Sequence, residues 1–479
     1  MSSTIPRKSA PIGGRRAFFA ELLASIAERG RLLVRRSPKR DPRALPVSVE
    51  RSASNLLDTL LANRGEASRV ALADEILSRW RALDDEGQCA LLLDLLDRFG
   101  PESGRLDAAI AAYQADPNDW TVVELHAAAE PRRQELLRRL NLAPQGTSSL
   151  VAMREVLLRR VKATPRLGAL DADFVHLLSS WFNRGFLVLR QIDWNTPASI
   201  LEKIIRYEAV HEIRDWDDLR RRLQPEDRRC FAFFHPALVD EPLIFVEVAL
   251  APAIPETIAG LLAERRTPAT GETAITAVFY SISNCQAGLR GISFGDFLIN
   301  QVVEELKREA LGLTTFVTLS PVPGFAAWLD RERADPASVH LRTEDKVALA
   351  DLDNAGWWAS SGRAEAIRPS LLRAAARYFL ASGTLSGRHI DPVARFHLGN
   401  GARLERLNFA GDPSERGIRE SYGLMVNYLY KLDEIETNHE RFVGRGEIAA
   451  AGPIVDLAAA DSAPASPPPR QSRPRRKQA

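Results

Sequence analysis

The sequence predicts a two-part α+β chain: an N-terminal all-α helical bundle, then an α/β domain carrying a ligand-binding turn. Three observations predict it. From about residue 51 to 182, apolar residues recur at three- and four-residue spacing, the period of helices that bury one face. After Gly185 the texture changes to short β-branched and aromatic runs that alternate with helical stretches, as in α/β domains. Within that second part, Ile275 to Phe325 reads as strand, glycine turn, amphipathic helix and second strand.

Taken in order, residues 1–50 combine Pro6, Pro11, Pro38, Pro42 and Pro46 with many Arg and Ser; this predicts a flexible basic lead-in. Residues 51–184 form the expected helical domain. Ala73, Ile76, Leu77, Trp80 and Leu83 make one apolar stripe, Leu91, Leu92, Leu95, Leu96 and Phe99 a second, and Leu150, Met153, Leu157, Leu158 and Val161 a third. Breaks are expected at Gly100-Pro101, at Asp116-Pro117-Asn118-Asp119 and at Pro144-Gln145-Gly146. The second domain is expected over 185–456. Phe186–Leu189 reads as its first strand, Thr196-Pro197 as a helix start with Thr196 as N-cap, and Cys230–Phe234 and Leu243–Leu250 as two further strands. Residues 457–479 run through Ala, Ser, Pro and Arg, a composition that buries no core and predicts a disordered tail.

The totals exclude several classes. Of 479 residues, 45% are hydrophobic and 26% charged, with a formal net charge of +2; this is a globular balance with no bulk attraction for nucleic acid. Cys89, Cys230 and Cys285 lie far apart with no CxxC pair, so neither a metal site nor a disulfide framework is indicated. No apolar run reaches the roughly 18 residues of a membrane span. Residues 14–36 are arginine-rich, but Glu21 and Glu28 argue against a transit peptide, and no signal-peptide pattern is seen. The Arg- and Ala-heavy composition resembles bacterial chains, and a cytoplasmic location is expected.

The turn carries the first chemistry. Ile275–Ser281 is a buried-strand candidate. It is followed by Gln286, Ala287, Gly288, Leu289, Arg290, Gly291 and Ile292, then by a helix with apolar Phe294, Phe297, Leu298, Val302, Leu306 and Ala310. The first N–H groups of a helix lack partners within it and its dipole favours an anion. Gly288 and Gly291 let the backbone approach closely and take positive φ, and Arg290 adds a charge at the rim. A tight turn without a ligand fits the same pattern. Neither the dinucleotide fingerprint nor the Walker spacing is present. Acetyltransferases of the GNAT type grip the diphosphate of coenzyme A with a similar arrangement; their usual Gln/Arg-x-x-Gly-x-Gly/Ala spacing differs from the one here.

Thr314–Leu319 reads as the next strand and runs into Ser320, with Pro321 and Pro323 ending it. Strand carboxyl ends border the ligand crevice of open α/β sheets, so Ser320 is a candidate; a turn-forming serine is the rival reading. His397 lies before the turn signal Asn400-Gly401; a packed histidine is its rival reading. His235 and Asn408 are further candidates, each with a structural reading in front.

Several segments together resemble the malonyl-CoA decarboxylase family. They are Phe279–Ile282, Gln286–Gly291, Leu319–Phe325, His397–Asn408, Arg416-Gly417-Ile418 and Gly423–Tyr428. The resemblance is close over 185–445 and looser through the helical region. It implies a GNAT-like acyl-CoA-binding catalytic domain after a helical domain used for self-association into a homo-oligomer, a tetramer among the sizes left open. It implies Ser320 and His397 as the catalytic pair and Gln286 to Ile292 as the acyl-CoA loop. The expected reaction converts malonyl-CoA to acetyl-CoA and carbon dioxide. Because the thioester carbonyl accepts the electrons of the breaking bond as an enolate, no cofactor and no metal is expected. His397 is expected to protonate the carbanion. Ser320, which the resemblance makes the proton acceptor, is a poor base alone, and orientation or a relay with His397 is expected of it. Tyr428 and Tyr430 are second-grade candidates, since acetyltransferases of this fold often use a late tyrosine near the sulfur. Some relatives end in a peroxisomal Ser-Lys-Leu; here the chain ends Lys477-Gln478-Ala479, so that address is absent. Three rival functions remain: an acetyl-CoA-dependent acyltransferase, a catalytically dead malonyl-CoA sensor, and an interaction protein led by its helical region.

Overall fold

A computed structural model describes residues 49–62, 65–269, 273–292, 298–309, 312–380 and 391–459. Most of the predicted lead-in and tail lie outside these residues. So do Phe294, Phe297 and Ala310 of the helix after the glycine turn, and hence that helix's predicted N-terminus. The described residues form two compact units. One takes the chain up to Arg220 with Cys230–Val246 and Ile282–Val302; the other takes Arg221–Arg229, Glu247–Ser281 and the chain from Val303.

The first unit contains the helical bundle. Its helices include Glu66–Ala82, Asp85–Arg98, Ser103–Ala115, Asp119–Ala129, Arg132–Leu140, Gly146–Arg160 and Gly168–Trp181. All three expected breaks fall at helix boundaries, Asp119 and Gly146 each opening the helix that follows. Asp84 caps one helix through Gly87 N–H, and Asn118 forms a capping box with Thr121 on another. The predicted stripes point inward: Ile76, Leu77, Leu92, Leu95, Leu150, Met153 and Leu157 are buried. The bundle is followed by a mixed α/β region, as the sequence predicts.

Among the described residues eight strands make one sheet: β1 Val188–Ile192, β2 Arg228–Phe234, β3 Pro242–Ala251, β4 Thr276–Asn284, β5 Thr315–Thr318, β6 Ser320–Pro321, β7 Arg403–Asn408 and β8 Met425–Leu429. The order is β1-β2-β3-β4-β5-β8-β6, with β7 also on β8. β4 and β5 run parallel, whereas β5, β6 and β7 are antiparallel to β8. Runs such as Leu243–Leu250 are buried throughout, as expected for strands covered on both faces. In the second unit Val278, Tyr280, Val317, Leu319 and Met425 share one core cluster.

Two local expectations fail. Phe186 belongs to a 3₁₀ turn and is exposed, so the first strand starts at Val188. Thr196 does not cap the helix Ala198–Tyr207: its hydroxyl accepts from Asp193 N–H and bonds the Asp193 carboxylate. The Asp193–Thr196 turn satisfies it locally.

Candidate active site

The β5–β6 segment and β8 set the site. Leu319 interrupts the strand: its N–H bonds Phe279 of β4, and Ser320 then pairs with Val426 of β8. Ser320, still paired in the sheet, is buried like Thr318 and Leu319 before it. His397 comes from the helix Pro392–Gly399, whose start is fixed by Asp391 as N-cap with Pro392 at its first position. The helix stops at Asn400, and Gly401 follows at φ +80°. A Cβ at Gly401 would overlap the Ile435 carbonyl, so the predicted turn here requires glycine.

The two candidates meet although 77 positions separate them: Ser320 Oγ and His397 Nε2 are 3.2 Å apart. Ser320 Oγ also bonds Thr318 Oγ1 at 2.9 Å, and Thr318 Oγ1 accepts Tyr428 N–H at 3.1 Å. On the other side of the imidazole, Nδ1 is 2.8 Å from the Tyr430 hydroxyl. Tyr428 stacks on the ring, centroids 4.7 Å apart and planes 24° from parallel. Tyr428 and Tyr430 alternate along β8 and its extension, which puts both on one face. The result is a four-member line, Thr318–Ser320–His397–Tyr430. Its hydrogen bonds run in either of two directions. In one, Nε2–H points at Ser320; in the other, Nε2 accepts the Ser320 proton and Nδ1–H points at Tyr430.

Burial governs the electrostatics. It pulls His397 down to a pKa of about 3, so the imidazole is neutral at physiological pH. It raises Tyr428 and Tyr430 well above the usual phenol range, keeping both protonated. No carboxylate contacts the imidazole among the described residues; a tyrosine stands where a serine–histidine–aspartate triad would have its acid. The Tyr428 hydroxyl is buried and has no hydrogen-bond partner among the described residues.

The other candidates are held structurally. Asn408 bonds Asn427 and Arg406, and Asn427 in turn bonds the Thr318 carbonyl. His235 packs on Phe182 and accepts Ala237 N–H, and burial lowers its pKa. In the first unit, the stretch Gln286–Ile292 contains the 3₁₀ turn Ala287–Leu289; Gly291 has φ +78°, and nothing among the described residues lies where its Cβ would be. Ala287, Arg290 and Gly291 are exposed; Gly288, Leu289 and Ile292 are buried. The Gln286 amide donates to the Pro242 carbonyl and to Glu241. Gly288 needs correcting: its φ is not positive, and it is glycine because a Cβ would overlap the Val151 carbonyl of the helix Gly146–Arg160. Burial and the nearby Glu208 and Glu241 push the Cys285 thiol up, so it stays protonated.

Residues 185–466 match the malonyl-CoA decarboxylase C-terminal domain and residues 99–182 the N-terminal domain of the same family. This chain belongs to the malonyl-CoA decarboxylase family. It is thereby placed among carboxy-lyases. Crystal structures of malonyl-CoA decarboxylase from Rhodopseudomonas palustris and from Agrobacterium vitis are 58% and 59% identical to it, with TM-scores of 0.82 and 0.81. Each comparison covers 85% of this chain and 99% of the other. The mitochondrial malonyl-CoA decarboxylase of Rattus norvegicus is 34% identical, across 80% of this chain and 85% of the relative. No helix among the described residues is long and apolar enough to cross a membrane.

Sequence reasoning missed Thr318, which bonds Ser320, and Asp391, which caps the helix of His397. Asp391-Pro392 did carry a signal, since Asp before Pro is an N-cap followed by a helix start.

Proposed function

We propose that this chain converts malonyl-CoA to acetyl-CoA and carbon dioxide without a cofactor, using Ser320 and His397 at the reacting end and the turn Gln286–Ile292 for the coenzyme A diphosphate. The observation that carries the reading is the Ser320–His397 contact at 3.2 Å, buried and backed by Tyr430. Loss of carbon dioxide leaves the electron pair on the thioester enolate. A hydrogen-bond donor at the developing oxygen is worth about 3–4 kcal/mol, and Ser320 is placed for that role in this reading. The enolate carbon then takes one proton, which His397 supplies and solvent restores.

Neutral imidazole is a weak acid, so the substrate must change its state. The malonyl carboxylate brings a negative charge to the imidazole, and an opposite charge favours the protonated form. His397 therefore charges only when substrate is present. The helical region 51–184 serves self-association into a homo-oligomer in this reading, supported by Trp120 at 78% exposure with Val122 and Val123 also exposed beside it. Cytoplasmic placement completes the proposal.

The test is carbon dioxide release from malonyl-CoA alone by the purified protein. Ser320→Ala and His397→Asn should each lose at least about 100-fold in kcat; near-normal kcat in both overturns the assignment. Product formed only after an amine or alcohol acceptor is added would instead support the acyltransferase rival.

A further inference from the structure

The helix Gly146–Arg160 of the bundle meets the glycine turn in two ways. Its Val151 carbonyl occupies the place a Cβ on residue 288 would need. One turn of helix further on, Arg154 is 2% exposed and reaches the turn backbone. Its Nη1 donates to the Gly288 carbonyl at 2.7 Å and to the Arg290 carbonyl at 2.9 Å, while Nε donates to Asp171 at 2.7 Å. Burying a guanidinium is costly unless its donors are used; here two of them go to carbonyls of one short turn. The peptide unit is planar and trans, so drawing the Arg290 carbonyl towards Arg154 directs the Gly291 N–H the opposite way. Gly291, at φ +78°, is exposed. The helix thus fixes which groups the turn shows to a ligand.

We infer that Arg154 is a positioning residue for acyl-CoA binding, shaping the Gln286–Ile292 turn from within the helical region. This rests on the reading of that turn as the coenzyme A site. The helical region then has a second task besides any self-association: the ligand turn is incomplete without it.

The experiment compares Arg154→Lys with Gly291→Val in the full chain, measuring kcat and KM for malonyl-CoA, the Kd of free coenzyme A by calorimetry, and the melting temperature. Lysine keeps the charge but not the fork, so it cannot serve Asp171 and both carbonyls together. The expected result for each variant is KM and Kd raised about tenfold with kcat within twofold, the pattern of lost uniform binding. If Gly291→Val weakens coenzyme A binding and Arg154→Lys does not, the inference is overturned and the turn reading stands. If neither weakens it, the turn reading fails and takes the inference with it. An Arg154→Lys effect confined to kcat, or one without a matching Gly291→Val effect, also overturns it. Arg154→Lys with a melting loss but unchanged Kd reduces Arg154 to a packing residue and refutes the proposal.

Discussion

Replacing Asp391 by Asn should separate two jobs that one carboxylate now does. Oδ1 accepts Val393 N–H at 2.9 Å and Ala394 N–H at 3.3 Å, capping the helix that carries His397. Oδ2 accepts Gly324 N–H at 3.0 Å, four residues beyond Ser320, and the Tyr378 hydroxyl bonds the same carboxylate. One buried side chain therefore ties the Ser320 loop to the His397 helix. Asparagine caps a helix as well as aspartate does, so that job survives. Its amide NH₂ would face the Gly324 N–H donor against donor, while the Tyr378 hydroxyl, which can also accept, could turn to accept a hydrogen bond from it. A hydrogen bond to a charged group is worth about 1.5–3 kcal/mol, and a buried donor left unpaired costs about 1–3 kcal/mol. The two overlap, and about 3 kcal/mol lost in urea denaturation is the expected sum. A slackened Ser320–His397 contact should cost about 10- to 100-fold in kcat, since an ångström of misplacement has effects of that order. Carbon dioxide release at saturating malonyl-CoA reads the second quantity. Stability within about 0.5 kcal/mol of wild type together with kcat within twofold would refute the idea that Asp391 holds the two segments together.

Two further outcomes follow from the imidazole's surroundings. With His397 depressed to about 3, the unfolded chain takes up a proton near the ordinary value of about 6.5 that the folded chain refuses. This contribution is fully present above that value and is lost as pH falls towards the folded one, so between pH 6 and 4 wild type should lose about 1.4 kcal/mol per unit relative to His397→Gln; a pH-independent difference in urea melts contradicts neutral burial. Tyr430→Phe leaves Nδ1 without its 2.8 Å partner and frees the tautomer, so kcat should fall about 10- to 100-fold at unchanged KM; an unchanged kcat removes Tyr430 from the relay.

Much of this was legible. Helical periods and Gly/Pro breaks located the bundle, because a half-buried helix writes its buried face into the spacing of its residues. Buried strands such as Leu243–Leu250 were equally plain, as continuous apolar runs. Ser320 stood out in the sequence beside Pro321 and Pro323, but Pro321 does not end the strand: it pairs with Met425 in β6. The partner of Ser320 was not legible: the 3.2 Å contact with His397 spans 77 positions, and a distance of that kind depends on how β6, β8 and the helix Pro392–Gly399 pack. Gly288 shows the limit most clearly. A glycine announces that something comes close, but not what; here it is the Val151 carbonyl. Thr196 errs for a related reason, since its hydroxyl had two local partners within reach and Asp193 won.

The neutral state of His397 gives the proposed reaction a direction. An imidazolium waiting in the empty site would need a counter-charge, and no carboxylate contacts the ring among the described residues. In the proposed reaction the proton is thus taken up only when the malonyl carboxylate arrives. After carbon dioxide leaves, the negative charge resides on the enolate, and the proton moves to its carbon. Acetyl-CoA has no carboxylate, so nothing then holds a charge on the imidazole, and burial returns it to neutrality. The desolvation that keeps His397 unprotonated at physiological pH therefore restricts its acid form, in the proposed reaction, to complexes that carry the group to be lost. Acetyl-CoA, equal to malonyl-CoA in its coenzyme portion, should bind without proton uptake, whereas a non-cleavable malonyl thioester analogue should bind with uptake of about one proton between pH 5 and 7. Calorimetry in buffers of different ionisation enthalpy measures that number directly, and equal uptake by both ligands would sink the substrate-charged mechanism while leaving the Ser320–His397 geometry as it is.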